Sequence, residues 1–187
     1  MSEDLIIENC APTLAGIKTG NMFNLKTVDG TDVIKETRQL NGTLRKKGIR
    51  VIPLKTTEVF SLIYIYRPEF LKKDLCNPDA LRILENEGYC HKNPENYIAQ
   101  LIERLKVEGT FPHEVGLFLG YPPLDVEGFM KDTCDGVKCC GCWKAYSEPE
   151  KAMETFQRYK ECTEKYCLMH KKGKTLNELT VNVTKQV

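Results

Sequence analysis

Cys10 and His113 are the residues in this chain whose types best suit nucleophilic chemistry. Cys10 comes just before an Ala-Pro pair, and a helix beginning there would favour its thiolate form. A histidine such as His113 can accept the thiol proton, and an acidic side chain, Asp125 or Glu127, can orient the imidazole ring. These residue types predict a cysteine-dependent hydrolase or acyl transferase.

The same two residues also have a purely structural interpretation. Residues 13–18 fit a β-strand, which would take the helix N-terminus away from Cys10. Cys10 would then be a half-buried thiol at the junction of two elements, and His113 would end a strand. No nucleophile signature of the Gly-Ser-Cys-Trp type accompanies Cys10. Both interpretations stay open at the level of the sequence.

A group of cysteines indicates a second kind of chemistry, a thiolate metal site. Cys139 and Cys142 have the Cys-x-x-Cys spacing that zinc and iron sites use, and Cys134 precedes them. Cys167, on a predicted C-terminal helix, could complete the ligand set. A regular strand over residues 137–146 would point Cys139 and Cys142 to opposite faces, so packed thiols are the competing interpretation.

The segment Phe111–Pro123 predicts a binding pocket that needs no chemistry. Gly116 and Gly120 would lie on one face of a buried strand, with Tyr121 and Trp143 nearby. A flat glycine face leaves room for a ligand, although it also allows a helix to pack closely. We therefore predict Gly116, Gly120, Tyr121 and Trp143 as ligand-binding residues.

Size and charge restrict the class of protein that could carry these sites. The chain has 187 residues, which predicts one domain over residues 1–180 and a frayed polar tail over residues 181–187. Its 27 basic and 26 acidic side chains give a net charge of +1, so we expect neither a nucleic-acid nor a membrane partner. Apolar runs are too short for a membrane span or a signal peptide. We therefore expect a cytosolic protein whose nine cysteines stay reduced.

The elements that must position these residues predict an α+β fold. Apolar residues on both faces of Glu58–Tyr66 indicate a central strand, paired as a hairpin with Ile49–Leu54. The pattern Ser147-x-x-Glu150 is a capping box that predicts the start of a long C-terminal helix. We expect a single mixed sheet of about five strands backed by helices. Its strands are predicted near residues 13–18, 49–54, 58–66, 114–121 and 137–146.

Prolines and glycines set the positions of the other predicted helices. Residues 31–47 show helical spacing and end in three basic residues before Gly48, which is typical of a helix C-terminus. Proline is favoured at the first position of a helix. Further helices are therefore predicted to begin at Pro68, Pro78, Pro94 and Pro123.

Four segments resemble a family from clostridia and related anaerobes that is catalogued as a domain of unknown function. They follow in the family's order and span nearly the whole chain. The segments are Asn9–Lys18, Tyr64–Pro68, Phe111–Pro123 and Gly141–Tyr146. Cys134, Cys139 and Cys140 depart from the usual family pattern, which argues against a family-wide metal site at these cysteines.

The resemblance implies a soluble bacterial protein whose relatives are often encoded beside flavodoxins and iron-uptake genes. We therefore expect a non-catalytic protein that binds a small molecule or another protein, with a flavodoxin or another redox or iron protein as its partner. The hydrolase that uses Cys10 and His113 is the first alternative, and the thiolate metal protein is the second. The sequence does not identify a cofactor.

Overall fold

The structure, a computed structural model, describes residues 1–26, 32–90, 93–107, 109, 111–131 and 136–183. The chain divides into two compact units. The first unit comprises residues 1–70 and 161–187, and the second comprises residues 71–160. The single domain predicted over residues 1–180 stays a prediction.

Helices and strands alternate along the first third of the chain, and helices dominate after it. The helices are α1 (Glu3–Leu14), α2 (Val33–Leu44), α3 (Pro68–Leu75), α4 (Pro78–Asn86), α5 (Pro94–Lys106), α6 (Val115–Phe118), α7 (Pro123–Met130), α8 (Pro149–Lys171) and α9 (Leu176–Leu179). The strands are β1 (Gly20–Lys26), β2 (Arg50–Thr56), β3 (Phe60–Tyr66), β4 (Cys139–Cys140) and β5 (Lys144–Ala145).

Strand β3 is the centre of an antiparallel sheet in the first unit. Within the described residues this sheet has three strands in the order β1-β3-β2. Ile63, Tyr64 and Ile65 are fully buried, as expected for a strand that is covered on both faces. The pairing of β2 shifts between Pro53 and Lys55, because a proline cannot donate a backbone hydrogen bond on that edge. The predicted hairpin and central strand are confirmed.

Helix α1 replaces the strand that was predicted over residues 13–18. The Ser2 hydroxyl accepts a hydrogen bond from the amide of Leu5 and caps the start of the helix. The helix ends before Gly16, whose φ of 73° is a left-handed conformation that favours glycine. The prediction of a strand here is wrong, and the first strand begins at Gly20 instead.

Arg67 follows β3 and is a buried cation that backbone carbonyls surround. Its guanidinium donates to the carbonyl oxygens of Thr13 (2.7 Å), Leu14 (2.8 Å), Lys47 (3.1 Å) and Val181 (2.9 Å). Burial lowers the pKa of Arg67 to about 10, so the group is still charged at neutral pH. Two of these carbonyls end α1, where the helix dipole favours a positive charge.

The segment that was predicted as a strand over residues 114–121 forms a short helix between two turns. Helix α6 has all four residues buried. Because the segment is apolar on every side, alternation of side chains could not distinguish a buried strand from a buried helix turn. Gly120, with a φ of 76°, then redirects the chain toward α7. The strand prediction for this segment is wrong.

Residues 137–146 form a hairpin rather than one strand. Strands β4 and β5 pair Cys139 with Ala145 and Cys140 with Lys144, and the amide of Gly141 donates to the carbonyl of Trp143 across the turn. The predicted sheet of about five strands is therefore wrong. In the described part of the chain, the first unit contains a three-stranded sheet and the second a two-stranded hairpin.

Most predicted helices are confirmed, together with the mixed α+β class. Helix α2 continues into a 3-10 turn and stops at Gly48, α8 is the long C-terminal helix, and the helices after the four prolines are α3, α4, α5 and α7. None of the helices within the described ranges is long and apolar enough to cross a membrane. In the predicted tail, Val181 donates its amide to the Leu14 carbonyl, and residues 184–187 lie outside the described residues.

Candidate ligand-binding site

An apolar cavity of about 340 Å³ lies in the second unit. Helices α6 and α7, the loop before α6 and the β4-β5 hairpin supply its walls. The lining residues are Phe111, His113, Val115, Gly116, Leu119, Tyr121, Asp125, Val126, Phe129, Cys142, Trp143 and Lys144. The volume falls within the range of small-molecule sites, about 300–1,000 Å³.

Gly116 allows α6 to approach the neighbouring cavity wall. A Cβ atom at this position would lie 2.8 Å from Cγ2 of Val126 and 3.2 Å from Cδ2 of Tyr121. Both distances are closer than ordinary van der Waals contact, and the β-branched valine has little rotamer freedom to move away. Glycine here therefore sets the spacing between α6 and α7.

Three aromatic rings pack together at one wall of the cavity. The rings of Tyr121 and Trp143 are stacked with their centres 4.8 Å apart and 29° between their planes, and the Phe156 ring makes a T-shaped contact with Trp143 at 4.5 Å. The Tyr121 hydroxyl donates to the carbonyl of Cys142 at 3.1 Å. A side chain at Gly141 would overlap the Phe156 ring. The hairpin turn is therefore fitted closely against this aromatic wall.

Asp125 holds the hairpin and its tryptophan in place. Its Oδ1 accepts hydrogen bonds from the amides of Tyr146 (2.9 Å) and Ser147 (2.8 Å) and from the Ser147 hydroxyl (2.8 Å). Its Oδ2 accepts from the indole Nε1 of Trp143 at 2.8 Å. Burial alone would raise the pKa of Asp125, but these hydrogen bonds lower it below its ordinary value. Asp125 is therefore a carboxylate at neutral pH, and it already accepts four hydrogen bonds from the hairpin and the residues that follow it.

His113, two phenylalanines and Lys144 surround the mouth of the cavity. The His113 ring meets Phe129 edge-on at 5.0 Å and lies 6.1 Å from the ring of Phe111. The Lys144 ammonium lies 5.4 Å from the centre of the Phe129 ring, a cation–π geometry. Phe111 and Phe129 are 54% and 38% exposed, so the mouth has an apolar rim open to solvent.

The turn that carries His113 is anchored by its neighbour, Glu114. The buried Glu114 carboxylate accepts a hydrogen bond from the Tyr89 hydroxyl (2.9 Å) and pairs with Nε of Arg104 (2.6 Å). Arg104 also pairs with Glu87 at 2.7 Å. Burial, followed by the nearby Glu114 charge, raises the pKa of Tyr89, so this hydroxyl stays a donor. This partly buried network fixes the backbone beside the cavity mouth.

A comparison with protein families identifies the chain at the family level. The model of a family described as "Protein of unknown function (DUF3793)" matches residues 6–180. The chain belongs to the DUF3793 family. No curated protein and no solved structure matches it. The resemblance to a domain-of-unknown-function family is thereby confirmed, and the clostridial distribution stays a prediction.

Three of the four predicted ligand-binding residues line the cavity of this DUF3793 protein. Gly116, Tyr121 and Trp143 contribute to its walls, and Gly120 is absent from the described lining. The structure brings these residues together through a helix, a turn and a hairpin rather than through the predicted strand. Their role in binding a ligand stays a prediction.

The residues predicted for catalysis are divided between the two units. His113 and Asp125 line the cavity, whereas Cys10 belongs to the first unit and is fully buried among the core residues of α1. Burial raises the pKa of the Cys10 thiol, which opposes formation of a nucleophilic thiolate. The alternative orienting residue, Glu127, pairs with Arg82 and Lys131, and hydrogen bonds from both lower its pKa to about 2.

The predicted metal ligands are only partly described. Cys134 lies outside the described residues. Cys142 lines the cavity, Cys139 donates its thiol to the carbonyl of Pro149 at 3.7 Å, and Cys167 packs against the core of the first unit, where burial raises its pKa. No three His, Cys, Asp or Glu side chains in the described ranges are grouped as metal ligands would be. The metal site stays a prediction.

Sequence reasoning missed the residues at the rim of the cavity. Phe129 and Lys144 were not predicted as site residues, and Phe111 was considered only as part of its segment. One signal was available in α7, where Phe129 and Leu124 are large apolar residues away from the buried face of the helix. A lone exposed apolar residue is too common on protein surfaces to indicate a site by itself.

Proposed function

We propose that this protein is a non-catalytic binding protein whose second unit holds a small, flat, largely apolar molecule. The observation that supports the proposal is the cavity of about 340 Å³, whose walls are formed mainly by aromatic and aliphatic side chains. Concave sites of this size and lining are the usual form of small-molecule sites in proteins.

The cavity walls are held in place before any ligand arrives. Asp125 fixes Trp143 through a 2.8 Å hydrogen bond, and the rings of Tyr121 and Phe156 both pack against the Trp143 ring. A wall that is already ordered loses little conformational entropy on binding, which increases affinity. The stacking of Tyr121 on Trp143 also favours a flat ligand that can extend the aromatic contacts.

The chemistry at the cavity supports binding rather than turnover. Asp125, the buried carboxylate of the lining, directs its oxygens toward the hairpin and has hydrogen-bond donors on both. A carboxylate with its acceptor sites filled is a poor general base and a poor partner for an imidazole. The partner implied by the resemblance, a flavodoxin or another redox or iron protein, stays a prediction beside this proposal.

Trp143 offers a direct test, because it is the only tryptophan in the sequence. In a two-dimensional nitrogen–proton NMR spectrum, the single indole N–H resonance therefore belongs to the cavity wall. Titration with the neutral probe 2-naphthylmethanol should shift this resonance saturably, since a bound aromatic ring changes the local magnetic field. A resonance that does not move at any soluble probe concentration would contradict the proposal.

Two variants of α7 provide a matched pair for the same titration. Phe129→Ala removes an aromatic ring from the cavity mouth and should weaken probe binding about tenfold. Leu124→Ala removes an exposed apolar side chain from the same helix outside the lining and should leave binding unchanged. Equal weakening by both variants would mean that the probe adheres to exposed apolar surface.

A further inference from the structure

The charges around the cavity are arranged unequally between its wall and its mouth. The negative charge of Asp125 lies in the wall, 3% exposed, and its oxygens are bound to the hairpin. The positive charge of Lys144 lies on an exposed residue of β5 at the mouth. A ligand can therefore contact the Lys144 ammonium directly, whereas it could bind the Asp125 carboxylate only by displacing one of the groups that donate to it.

A contact with Phe129 positions the Lys144 side chain at the mouth of the cavity. Its ammonium lies over the ring of Phe129, and within the described ranges no carboxylate forms an ion pair with it. A cation on an aromatic face keeps its outward side available to an anion. His113, which meets the Phe129 ring edge-on, adds a second nitrogen-bearing side chain to the same rim.

We propose that the natural ligand is an aromatic or similarly flat molecule with an anionic group, such as an aryl carboxylate, whose ring enters the cavity and whose charge pairs with Lys144 at the mouth. This inference rests on the proposed function, since it names the chemical class of the bound molecule. The ring would contact the aromatic wall around Trp143, and the anion would stay partly hydrated at the rim. The aromatic wall is thus in place for the ring of such a ligand, and Lys144 is in place for its anionic group.

Three probes that share one ring and differ in charge test this inference. They are 2-naphthoate, 2-naphthylmethanol and 2-naphthylmethylammonium, each titrated against the full chain while the Trp143 indole resonance is followed. The anion should bind about two- to fivefold more tightly than the alcohol, as expected for one partly exposed ion pair, and the cation should bind most weakly. The advantage of the anion should also decrease as salt is added.

Two lysine variants separate the role of Lys144 from a general effect of charge. Lys144→Met keeps an unbranched side chain of similar length and should remove the advantage that the anion has over the alcohol. Lys73→Met removes an exposed lysine of α3 outside the lining and should change neither affinity.

The outcomes distinguish this inference from the proposal beneath it. If none of the three probes binds, the proposed function fails and this inference fails with it. Equal affinities for the three probes, or tightest binding of the cation, would overturn the anionic ligand while leaving a binding cavity in place. An anion preference that survives Lys144→Met would also overturn the inference, because another group would then be responsible.

Discussion

Arg67 in the first unit and Asp125 in the second carry opposite charges, and both are buried with hydrogen bonds to uncharged groups. Each is at most 3% exposed, and each is neutralised by dipoles rather than by a charged partner among the described residues. Arg67 donates to four backbone carbonyls, and Asp125 accepts from two backbone amides, a hydroxyl and an indole. A buried charge is tolerated when its hydrogen-bonding capacity is met in this way.

The two charges differ in the segments that they join. The partners of Arg67 come from α1, the 3-10 turn and the segment after α9, which are far apart in sequence. The partners of Asp125 all lie within residues 143–147, beside a cavity. The comparison indicates that Arg67 holds a fold together, whereas Asp125 shapes a local surface.

Arg67→Met should produce the largest loss of stability. It removes a charged donor from four carbonyl groups at a largely buried site, and we expect the free energy of unfolding to fall by about 4 kcal/mol. Urea denaturation followed by circular dichroism measures this change. Arg38→Met, at an exposed position of α2, is the control and should change stability by less than about 0.5 kcal/mol. If Arg67→Met is as mild as the control, the proposed role of Arg67 is wrong.

Asp125→Asn should destabilise the protein less than Arg67→Met does, but it should also weaken binding of the probe. The asparagine oxygen can replace Oδ1, whereas its amide group would face the indole N–H of Trp143, donor against donor. We expect a loss of about 2–3 kcal/mol, a displaced Trp143 resonance and weaker binding of 2-naphthylmethanol. Asp79→Asn, at an exposed position of α4, is the control. If Asp125→Asn binds the probe as tightly as the wild type does, the inference that Asp125 shapes the cavity is wrong.

The contribution of Asp125 should also depend on pH in a defined direction. Hydrogen bonds outweigh burial and lower the pKa of Asp125 in the folded state, so its stabilisation is fully present above the ordinary value of about 3.9. The stabilisation is lost as the pH falls through the lower, folded-state pKa. The stability difference between wild type and Asp125→Asn should therefore be constant from about pH 7 to pH 5 and shrink below about pH 4. A difference that grows on acidification would contradict this assignment.

Gly141→Ala should cause a smaller loss that is confined to the second unit. The added methyl group overlaps the ring of Phe156, which packs against Trp143. Overpacking of this kind costs about 1–3 kcal/mol, and the Trp143 indole resonance should shift because its neighbour must move. Thermal unfolding and the NMR spectrum are the measurements. An unperturbed indole resonance would show that the hairpin adapts without disturbing the wall.

Gly42→Ala should have the smallest effect and the opposite sign. Gly42 lies within α2, and nothing lies within 4 Å of the position that its Cβ would take. Alanine is favoured over glycine in a helix by up to about 1 kcal/mol, so the free energy of unfolding should rise slightly. A loss of stability would mean that the α2 backbone requires glycine for another reason.

The parts of the fold that the sequence predicted correctly have strong local signals. Two-sided burial marked β3, Asn-Pro pairs marked the starts of α4 and α5, and basic residues before Gly48 marked the end of the 31–47 helix. Each of these signals depends on a few neighbouring residues and on simple backbone chemistry. These elements can therefore be predicted without knowledge of the tertiary structure.

The errors arose where the local pattern was ambiguous. Helix α1 contains Pro12, a residue that is disfavoured inside a helix, although the Ser2 cap and the acidic first turn favour a helix. The all-apolar run around α6 gave no usable period, and the hairpin turn at Gly141 lacks the usual Asn-Gly or Asp-Gly pair. Helix α8 begins at Pro149, so Ser147 is not the residue directly before the helix as the capping box requires, and its hydroxyl donates to Asp125. That bond depends on tertiary structure and leaves no mark in the local sequence.

The cavity residues were predicted better than the elements that carry them. Gly116, Tyr121, Trp143, His113 and Asp125 were selected for their chemistry, and all of them line one cavity. Their selection did not require the correct secondary structure, because glycine, aromatic and titratable side chains concentrate at concave sites in many folds. The rim was missed because it forms only when α7 and the hairpin come together.

The discontinuity of the first unit has a consequence for synthesis on the ribosome. The carbonyl of Leu14, near the start of the chain, is bonded both to Arg67 and to the amide of Val181. During translation this carbonyl therefore gains both partners only after residue 181 has emerged, whereas every residue of the contiguous second unit, 71–160, emerges earlier. The first unit is thus completed by a segment that is translated after the second unit.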